Sequence, residues 1–216
     1  NLLYKYNFMD TDLAVKKFKL KRTYDKLRFR FLHSKAMRSM KMAVFLNSIN
    51  IPTPEPIAIV EKRNFTRKII FSYYISAYID YNYNLLDIVS NPKHELRDKV
   101  IDFMPQIGKT IKKMHDSGFV HNDLHAGNIL VSNICNPTFY YIDLNRARIK
   151  DKLNKKRRMK DLARFELRNK EFRELLKGYD NQNFEQYLNL IKKQRKRREQ
   201  YRNIKNKLRD FFGIKK

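Results

Sequence analysis

Two short polar clusters in the middle of the chain carry residues that could do chemistry. The first is HNDLHAGN, His121 to Asn128, followed by an Ile-Leu-Val run, and the second is Asp143-Leu144-Asn145, preceded by FYYI. Apolar runs bounded by turn residues predict short buried strands, so these acids stand at strand ends, where a ligand or metal would be their partner. Phosphoryl transfer to a hydroxyl needs a carboxylate that accepts a proton, oxygen ligands for Mg²⁺ and a cation on the phosphates. The two clusters therefore predict a phosphoryl-transfer centre.

The spacing within the first cluster matches the catalytic loop of protein kinases, H-R-D-L-x-x-x-N. His121, Asp123, Leu124 and Asn128 match it position by position, and a second aspartate, Asp143, follows across one predicted hairpin. In such a loop the aspartate is the catalytic base, while the asparagine and the later aspartate bind magnesium. Each match alone is weak, but their order and separation together favour a kinase-like fold. The alternative is that these polar residues only cap a buried hairpin.

A cation for the phosphates has a candidate near the N-terminus. Residues 2–19 predict a hairpin in which LLYKYNF and LAVKKFK are joined by the turn MDTD. Alternation along the second strand places Ala14, Lys16 and Phe18 on one face. A lysine on such a face could reach a cleft, and the alternative is a surface lysine whose aliphatic stem lies along the sheet.

Other segments predict the rest of a small sheet and a mainly helical second half of the chain. Ser34 can cap a helix over residues 34–50, and the runs IAIVE and KIIFSYYISAYI predict two more strands. An amphipathic helix is predicted over residues 94–117, with a kink or break at Pro105 and an end at Gly118. Helical patterns then continue to the end of the chain.

The charge of the chain points to anionic partners. It carries 48 Lys and Arg against 22 Asp and Glu, a formal net charge of +26, and residues 150–216 hold 24 of these cations against 9 acids. This last segment predicts a basic amphipathic helix with the apolar anchors Tyr201, Ile204, Leu208, Phe211 and Phe212. Such a surface favours nucleic acid, an acidic membrane or a phosphorylated substrate, without choosing among them.

Composition also argues against several classes of protein. A hydrophobic fraction of 42% suffices for a core, so general disorder is not expected. The single cysteine, Cys135, cannot form an intrachain disulfide, which fits a reducing compartment. No apolar run approaches the ~18 residues of a membrane-spanning helix. A chain of 216 residues suits one domain or two small lobes that share a cleft.

Five segments together resemble the bacterial lipopolysaccharide core kinase family, within the protein-kinase-like superfamily. They are LAVKKFK, INIPTPEPIA, YYISAYI, HNDLHAGNIL and YIDLNRAR, and the resemblance extends over most of residues 2–165. It implies an α+β, bilobal protein-kinase-like fold. Residues 1–79 would form a small antiparallel-sheet N-terminal lobe, whose first strands are expected upstream of Asn1. Residues 80–216 would form a reduced, mainly helical C-terminal lobe that ends in the basic helical segment.

The same resemblance implies an ATP- and Mg²⁺-dependent kinase that phosphorylates a heptose or Kdo sugar of the lipopolysaccharide core. Asp123 would be the catalytic base, and Asn128 and Asp143 would bind Mg²⁺. Lys16 would contact the ATP phosphates, and His121 would support the loop. The hinge that meets adenine would consist of Ala77, Tyr78 and Ile79. The implied partners are an anionic glycolipid and an anionic membrane surface rather than nucleic acid, in the cytoplasm at the inner face of the bacterial inner membrane.

Two features depart from the usual kinase pattern. No glycine precedes Gly108, so this segment contains no glycine-rich phosphate loop. The helix acid that pairs with the strand lysine is also missing, because Asp25 is the only acid between Lys19 and Glu55, and Lys41 stands where that acid is expected. Two alternatives therefore stay open. One is another atypical protein or small-molecule kinase, and the other is an inactive pseudokinase that binds anionic partners through its basic C-terminus.

Overall fold

A four-stranded antiparallel sheet forms the first part of the molecule in the computed structural model, which describes residues 1–20 and 23–211 without the side chains of Arg209 and Phe211. Its strands are β1 (Leu2–Phe8), β2 (Thr11–Lys17), β3 (Pro56–Arg63) and β4 (Ile69–Ala77), in the order β1-β2-β4-β3. Lys16 of β2 pairs with Leu3 on one side and with Tyr74 on the other. The predicted hairpin and the two later strands are confirmed.

One long helix, α2 (Lys35–Ser48), packs on this sheet. Ser34 caps it as predicted, because its hydroxyl accepts the N–H of Met37 at 3.1 Å. A short helix, α1 (Thr23–Arg28), precedes it. It was not predicted, since it buries no residue and so shows no apolar periodicity.

The rest of the chain is mainly helical. The short strand β5 (Tyr83–Asn84) pairs with β7 (Ile129–Ser132), which pairs with β8 (Thr138–Tyr141), and β6 (Phe119–Val120) pairs with β9 (Arg148–Ile149). The helices are α3 (Leu85–Ser90), α4 (Val100–Asp116), α5 (Lys155–Leu162), α6 (Asn169–Asp180) and α7 (Phe184–Phe211). A sheet half followed by a helical half confirms the α+β class. The lobe boundary at residue 79 stays a prediction, and we use it to define the N-terminal and C-terminal lobes.

The helix α4 differs from its prediction at its start. Residues 95–99 form turns instead of helix, because the ring of His94 accepts the N–H of Leu96 at 3.1 Å and holds a turn there. The helix then runs through Pro105 without interruption, so the alternative of a break there is wrong. Gly118 ends the helix as predicted, with a φ of 78°, and a Cβ at this position would collide with the carbonyl oxygen of Lys150.

Two glycines bring α4 and α6 into backbone contact. A Cβ on Gly108 would lie 2.1 Å from the carbonyl oxygen of Leu175, and a Cβ on Gly178 would lie 2.2 Å from that of Pro105. The helices can therefore pack closely only because both positions lack a side chain. The apolar core beside this contact includes residues of both helices and of β6: Ile107, Ile111, Met114, Phe119, Phe172 and Leu176. This core fixes the position of β6, the strand that leads into the first polar cluster.

The helix α7 packs on the body of the protein only in its first half. Leu188 and Ile191 are buried, whereas the described apolar anchors are more than half exposed: Tyr201, Ile204 and Leu208. The predicted basic helix is confirmed over this range. The side chain of Phe211 and the whole of Phe212, which were predicted as further anchors, lie outside the described part. Across residues 1–20 and 23–211, none of the helices has the length and apolarity that a transmembrane span requires.

Candidate active site

A cleft between the sheet and the C-terminal lobe brings together predicted site residues from both lobes. Ala14 and Lys16 of β2 line one wall, while Ile142 and Asp143 line the other. The segment that follows β4 lines the same cleft with the three predicted hinge residues Ala77, Tyr78 and Ile79. A largely apolar cleft with a few convergent polar groups is the usual form of a small-molecule site.

Lys16 crosses this cleft to Asp143. Its Nζ lies 2.7 Å from Asp143 Oδ1, and neither side chain is more than 30% exposed. Asp143 has a left-handed backbone, with φ 59° and ψ 48°, and the amide of Asn145 also donates to its carboxylate. Burial alone would raise the pKa of Asp143, but the charge and hydrogen bond of Lys16, together with the Asn145 amide, outweigh it and lower the pKa. The carboxylate is therefore ionised at neutral pH and able to bind a cation.

Asn128 lies at the end of a one-turn 3-10 helix, Ala126–Asn128, that closes the first cluster. Its amide nitrogen donates to the carbonyl oxygen of Asp123 at 2.8 Å, so its amide oxygen is the atom left for a ligand. Its backbone carbonyl accepts the N–H of Ile142 at 3.0 Å. The loop is thereby tied to the residue that precedes Asp143, and the two predicted metal ligands are brought to one place.

Asp123, the predicted base, lies beside two arginines. Its side chain is 19% exposed, and its Oδ1 lies 3.1 Å from Arg146 Nη1 and 3.8 Å from Arg164 Nη1. Arg146 belongs to the short turn that follows Asp143, and Arg164 follows α5. An acceptor could approach the carboxylate through a positively charged surface. Neither arginine was predicted as a site residue, because neither lies in the catalytic-loop motif.

A buried aspartate that the sequence analysis did not identify, Asp161, holds the backbone of this loop. It is 2% exposed, and its carboxylate accepts the N–H of His121 at 2.9 Å and that of Asn122 at 2.8 Å. Burial would raise the pKa of Asp161, but its hydrogen bond with His115 and the charges around it lower the pKa. Asp161 lies 40 residues from His121 in a basic helix, where no local motif marks it.

His121 connects the two clusters from inside the lobe. It is 1% exposed, and its Nε2 lies 3.1 Å from the carbonyl oxygen of Ile142, which assigns the ring proton to Nε2. Its Nδ1 is buried and has no hydrogen-bond partner among the described residues. Burial lowers the pKa of His121 because a charged ring would lose its hydration there. A neutral, structural histidine agrees with the supporting role expected for it.

The proline-rich segment joins the two lobes beside the cleft. The hydroxyl of Thr53, a buried residue, donates to the carbonyl oxygen of Tyr141 at 2.8 Å, and the N–H of Tyr141 donates to the carbonyl oxygen of Pro52 at 2.9 Å. Alternating prolines keep this segment extended, so it can lie alongside the end of β8. Thr53 and Pro54 also line the cleft.

The predicted hinge has two of its three backbone donors engaged. The N–H of Ala77 donates to the carbonyl oxygen of Glu55 at 2.8 Å, and that of Tyr78 to the carbonyl oxygen of Asp12 at 2.9 Å. The N–H of Ile79 has no protein acceptor among the described residues, so it is the donor of this segment that a ligand could use. The contact between this hinge and adenine stays a prediction.

The residue of α2 that lines the cleft is Ser39, so the expectation for Lys41 is wrong. The hydroxyl of Ser39 donates to the carbonyl oxygen of Lys35 at 3.0 Å, inside the helix. Lys41 is exposed and lies 3.1 Å from the ring of His33. Two positions along a helix turn a side chain by about 200°, which directs Lys41 away from the face of Ser39. No acid of α2 meets Lys16, because α2 contains none, and Asp143 is its carboxylate partner.

The oxygen donors fit a magnesium ion held largely by phosphates. The carboxylate of Asp143 and the amide oxygen of Asn128 are hard ligands, and Mg²⁺ commonly takes one or two such ligands together with phosphate and water. Over residues 1–20 and 23–211 no group of three or more His, Cys, Asp and Glu could hold a metal by itself. With a nucleotide bound, these two residues would supply the protein oxygens of such a site.

Comparison with protein families gives one match that spans most of the chain. Residues 4–189 match the sequence model described as "Lipopolysaccharide kinase (Kdo/WaaP) family". This range contains Lys16, the hinge segment, both polar clusters and Asp161.

Comparison with solved structures gives a likeness over nearly the whole fold. The structure described as "WaaP in complex with acyl carrier protein" superposes with a TM-score of 0.65 and 16% sequence identity, over 92% of this chain and 83% of that chain. At this identity the likeness shows the fold, and it confirms the predicted kinase-like class. A weaker match, a Stt7 homolog from Micromonas algae soaked with ATP, has a TM-score of 0.48 at 12% identity, over 68% of this chain and 46% of that chain.

Among curated proteins, a serine/threonine-protein kinase of Gibberella zeae is 30% identical over 101 residues. These residues are 45% of this chain and 18% of that kinase. The chain thus spans less than a fifth of the length of this relative, and the match concerns a part of each protein.

Proposed function

The chain belongs to the lipopolysaccharide kinase (Kdo/WaaP) family, and we propose that it transfers the γ-phosphoryl group of ATP, with Mg²⁺, to a hydroxyl of a lipopolysaccharide core sugar. The family is one of kinases, which supports a phosphotransferase activity for this chain. The observation that carries the proposal is the direct contact between Lys16 and Asp143, in a cleft beside the loop that holds Asp123 and Asn128.

In the proposed reaction, Asp123 accepts the proton of the acceptor hydroxyl while the sugar oxygen forms a bond to the γ-phosphorus. The bond between the γ-phosphorus and the bridging oxygen breaks, and ADP leaves with its electron pair. Lys16 holds the phosphates from the sheet side, and Asn128 with Asp143 would hold Mg²⁺, which offsets the charge of the transferred group. Asp161 fixes the loop backbone and thereby the position of the base.

Replacement of Asp123 by Asn tests this assignment. We expect the turnover of deacylated core oligosaccharide to fall by about 10²–10⁴, which is the usual range for losing a general base. The variant should still bind Mg²⁺ and ATP, because Asp123 is not among the residues proposed to hold the nucleotide. A thermal-shift assay measures this binding. Asp98→Asn, at an exposed position of the same lobe, is the control. Unchanged turnover in Asp123→Asn would refute the role of the base.

Two other functions make different predictions in the same assays. A protein kinase of this superfamily would place the label of γ-labelled ATP on protein and leave the oligosaccharide unlabelled. An inactive pseudokinase would show no thermal shift with Mg²⁺ and ATP. We favour the sugar kinase because the family match spans residues 4–189, whereas the match to a protein kinase covers 45% of the chain.

We also propose that the end of α7 contacts an anionic membrane surface, at the cytoplasmic face of a bacterial inner membrane where a glycolipid acceptor would lie. Its described apolar side chains are exposed at spacings of three and four residues: Tyr201, Ile204 and Leu208. Cations flank this stripe at Arg202, Lys205 and Lys207. Each cation near an anionic surface contributes roughly 1 kcal/mol, and the apolar stripe adds burial at the interface.

Vesicle sedimentation tests this contact. Wild-type protein should sediment with vesicles that contain phosphatidylglycerol, less with pure phosphatidylcholine, and less at high salt. A triple variant, Tyr201→Ser, Ile204→Ser and Leu208→Ser, should lose most of this binding. Phe65→Ser, at a side chain that is 96% exposed on the N-terminal lobe, is the control. Equal binding by the triple variant and the wild type would refute the α7 surface.

A carrier protein is a second candidate partner. The solved relative is described in complex with acyl carrier protein, and the net charge of +26 on this chain would favour an acidic partner. Size-exclusion chromatography of the chain with acyl carrier protein at low salt should give a co-migrating complex. Separate migration at low salt would remove this candidate.

A further inference from the structure

Two arginines lie against Asp123, and a third belongs to the part of α7 that packs beside one of them. Arg146 comes from the turn after Asp143, Arg164 from the segment after α5, and Arg198 from α7. Guanidinium nitrogens of Arg146 and Arg164 lie 3.1 and 3.8 Å from the same atom, Asp123 Oδ1. Segments that are distant in the sequence thus converge on the base with one sign of charge.

Arg198 adds a cation that forms no ion pair with the described residues. Arg195 of α7, one turn before Arg198, donates to the carbonyl oxygen of Phe165, so this part of α7 lies beside Arg164. The charge of Arg198 accordingly adds to burial in lowering the pKa of Arg164. The Nη1 of Arg198 is buried and has no hydrogen-bond partner among the described residues. One turn earlier, Arg195 stacks over the ring of Phe172 at 4.3 Å and holds this face of α7 on the lobe. A buried donor without an acceptor is available to an oxygen that enters the site.

The two acids whose charges act on Arg164, Asp161 and Asp123, do not balance these cations. Asp161 is engaged by two backbone N–H groups and by His115. Asp123 is a single carboxylate shared between two arginines. Guanidinium groups recognise planar or tetrahedral oxyanions through paired N–H donors, so a carboxylate or a phosphate group fits this place.

We propose that Arg146, Arg164 and Arg198 form an acceptor subsite that binds an anionic group, a carboxylate or a phosphate, on the sugar chain that is phosphorylated. The inference rests on the proposed sugar-kinase function and adds a selectivity for the charge of the acceptor. Without an acceptor, Arg146 occupies Oδ1 of Asp123, one of the two oxygens of the proposed base.

The anionic group frees the base when it binds. The side chain of Arg146 is 62% exposed, so it can turn from Asp123 to the incoming anion. Asp123 Oδ1 then becomes available to the acceptor hydroxyl. A neutral sugar leaves the ion pair of Arg146 with Asp123 in place, so recognition of charge and release of the base are coupled.

The test uses one acceptor in four forms and the full chain. The first form is untreated deacylated core oligosaccharide. The second has lost its phosphates to phosphatase, the third has its carboxyl groups reduced to alcohols, and the fourth has received both treatments. Arg198→Gln is compared with Arg197→Gln, which changes the exposed neighbour on α7. Steady-state kinetics give kcat and KM for each form. Calorimetry gives the Kd of each form in the presence of a non-hydrolysable ATP analogue.

We expect Arg198→Gln to raise the KM and Kd of the untreated oligosaccharide about tenfold, the loss of one charge-assisted contact, with the KM for ATP unchanged. Arg197→Gln should behave as wild type. The single treatment that abolishes the difference between Arg198→Gln and wild type identifies the bound group as phosphate or carboxylate. Arg198→Lys, which keeps the charge without the paired donors, should lie between wild type and Arg198→Gln.

Two results would overturn the subsite. One is that Arg198→Gln matches Arg197→Gln on the untreated oligosaccharide. The other is that its defect is equally large on the doubly treated, neutral form. If the proposed sugar-kinase function is wrong, the wild type will turn over none of the four forms, and this result differs from both of those above. Calorimetry still decides the subsite in that case, because a wild-type Kd without preference for the charged form refutes it.

Discussion

The two walls of the cleft are built in different ways. On the C-terminal side the residues that support the site are buried, with no more than 7% of the residue exposed at His121, Asn128, Leu144 and Asn145, while the side chains of Asp123 and Asp143 are partly exposed. On the N-terminal side β1 is exposed at all seven of its positions, and β2 delivers one cation, Lys16, to the opposite wall. One wall is held by the core, and the other is held by contacts across the cleft.

This difference separates the residues proposed to carry out the chemistry from those that would admit the nucleotide. A base and metal ligands have to stay within about 0.5 Å of their productive positions, and burial provides this precision. A wall that admits and releases a nucleotide has to move, and few buried contacts allow it. We therefore expect changes in the C-terminal wall to reduce stability and turnover together, and changes in the N-terminal wall to reduce nucleotide use alone.

The largest expected effect on stability comes from Asp161→Asn, in the buried wall. Asn offers one acceptor oxygen for the N–H groups of His121 and Asn122, so one of them would face an amide donor. Hydrogen bonds to charged groups contribute about 1.5–3 kcal/mol each. We expect the free energy of unfolding to fall by about 3 kcal/mol and kcat to fall at least ~100-fold. Urea denaturation and steady-state kinetics measure the two effects, and Asp151→Asn, at an exposed position, is the control.

Lys16→Met is the corresponding change in the N-terminal wall. Methionine keeps the length of the side chain but leaves the phosphates and Asp143 without their cation. We expect kcat/KM for ATP to fall about 10²–10³-fold, with a change of less than about 1 kcal/mol in the free energy of unfolding, since the ion pair is partly exposed. Lys17→Met, on the opposite face of β2, is the control. If Lys16→Met destabilises the protein as much as Asp161→Asn, the contrast between the walls is wrong.

Gly178→Ala tests the support beneath the buried wall. The new Cβ would lie 2.2 Å from the carbonyl oxygen of Pro105, so α4 and α6 would have to separate. Overpacking of this kind costs about 1–3 kcal/mol, and we expect thermal and urea unfolding to show a loss in this range. Lys109→Ala, at an exposed position on α4, should leave stability unchanged. Normal stability in Gly178→Ala would mean that the close helix contact is not required.

Acidification should destabilise the buried wall in two steps. The pKa of His121 is lowered from 6.5 in the folded protein, so the unfolded chain takes up its proton first and stability falls as the pH drops below about 6.5. The pKa values of Asp143 and Asp161 are also lowered, so a second loss begins below about pH 4. The free energy of unfolding, measured by urea titration from pH 8 to pH 3, should show both steps. His121→Gln should abolish the first step, and its persistence would assign that step to another group.

The smallest expected effect is that of Lys41→Ala. Lys41 is exposed and contacts the ring of His33, away from the cleft. We expect a stability change within about 0.5 kcal/mol and an unchanged KM for ATP. A higher KM for ATP would mean that α2 takes a different rotation when the nucleotide is bound.

Local patterns predicted the elements whose geometry is decided by neighbours in the sequence. The cap at Ser34 and the end of α4 at Gly118 depend on backbone groups within a few residues, and both are found. The helix α1 and the turn before α4 could not be predicted in the same way. In α1 no residue is buried, and before α4 the side chain of His94 competes with helix formation.

The sequence by itself determined the candidate base and metal ligands, because Asp123 and Asn128 belong to one short loop whose spacing fixes their geometry. Only the tertiary structure decided which contacts join the distant residues of the site. Lys16 and Asp143 are 127 residues apart, and Asp161 lies 40 residues from the loop it anchors. Such pairs depend on how helices and sheet pack around a common core, and no local periodicity records that packing.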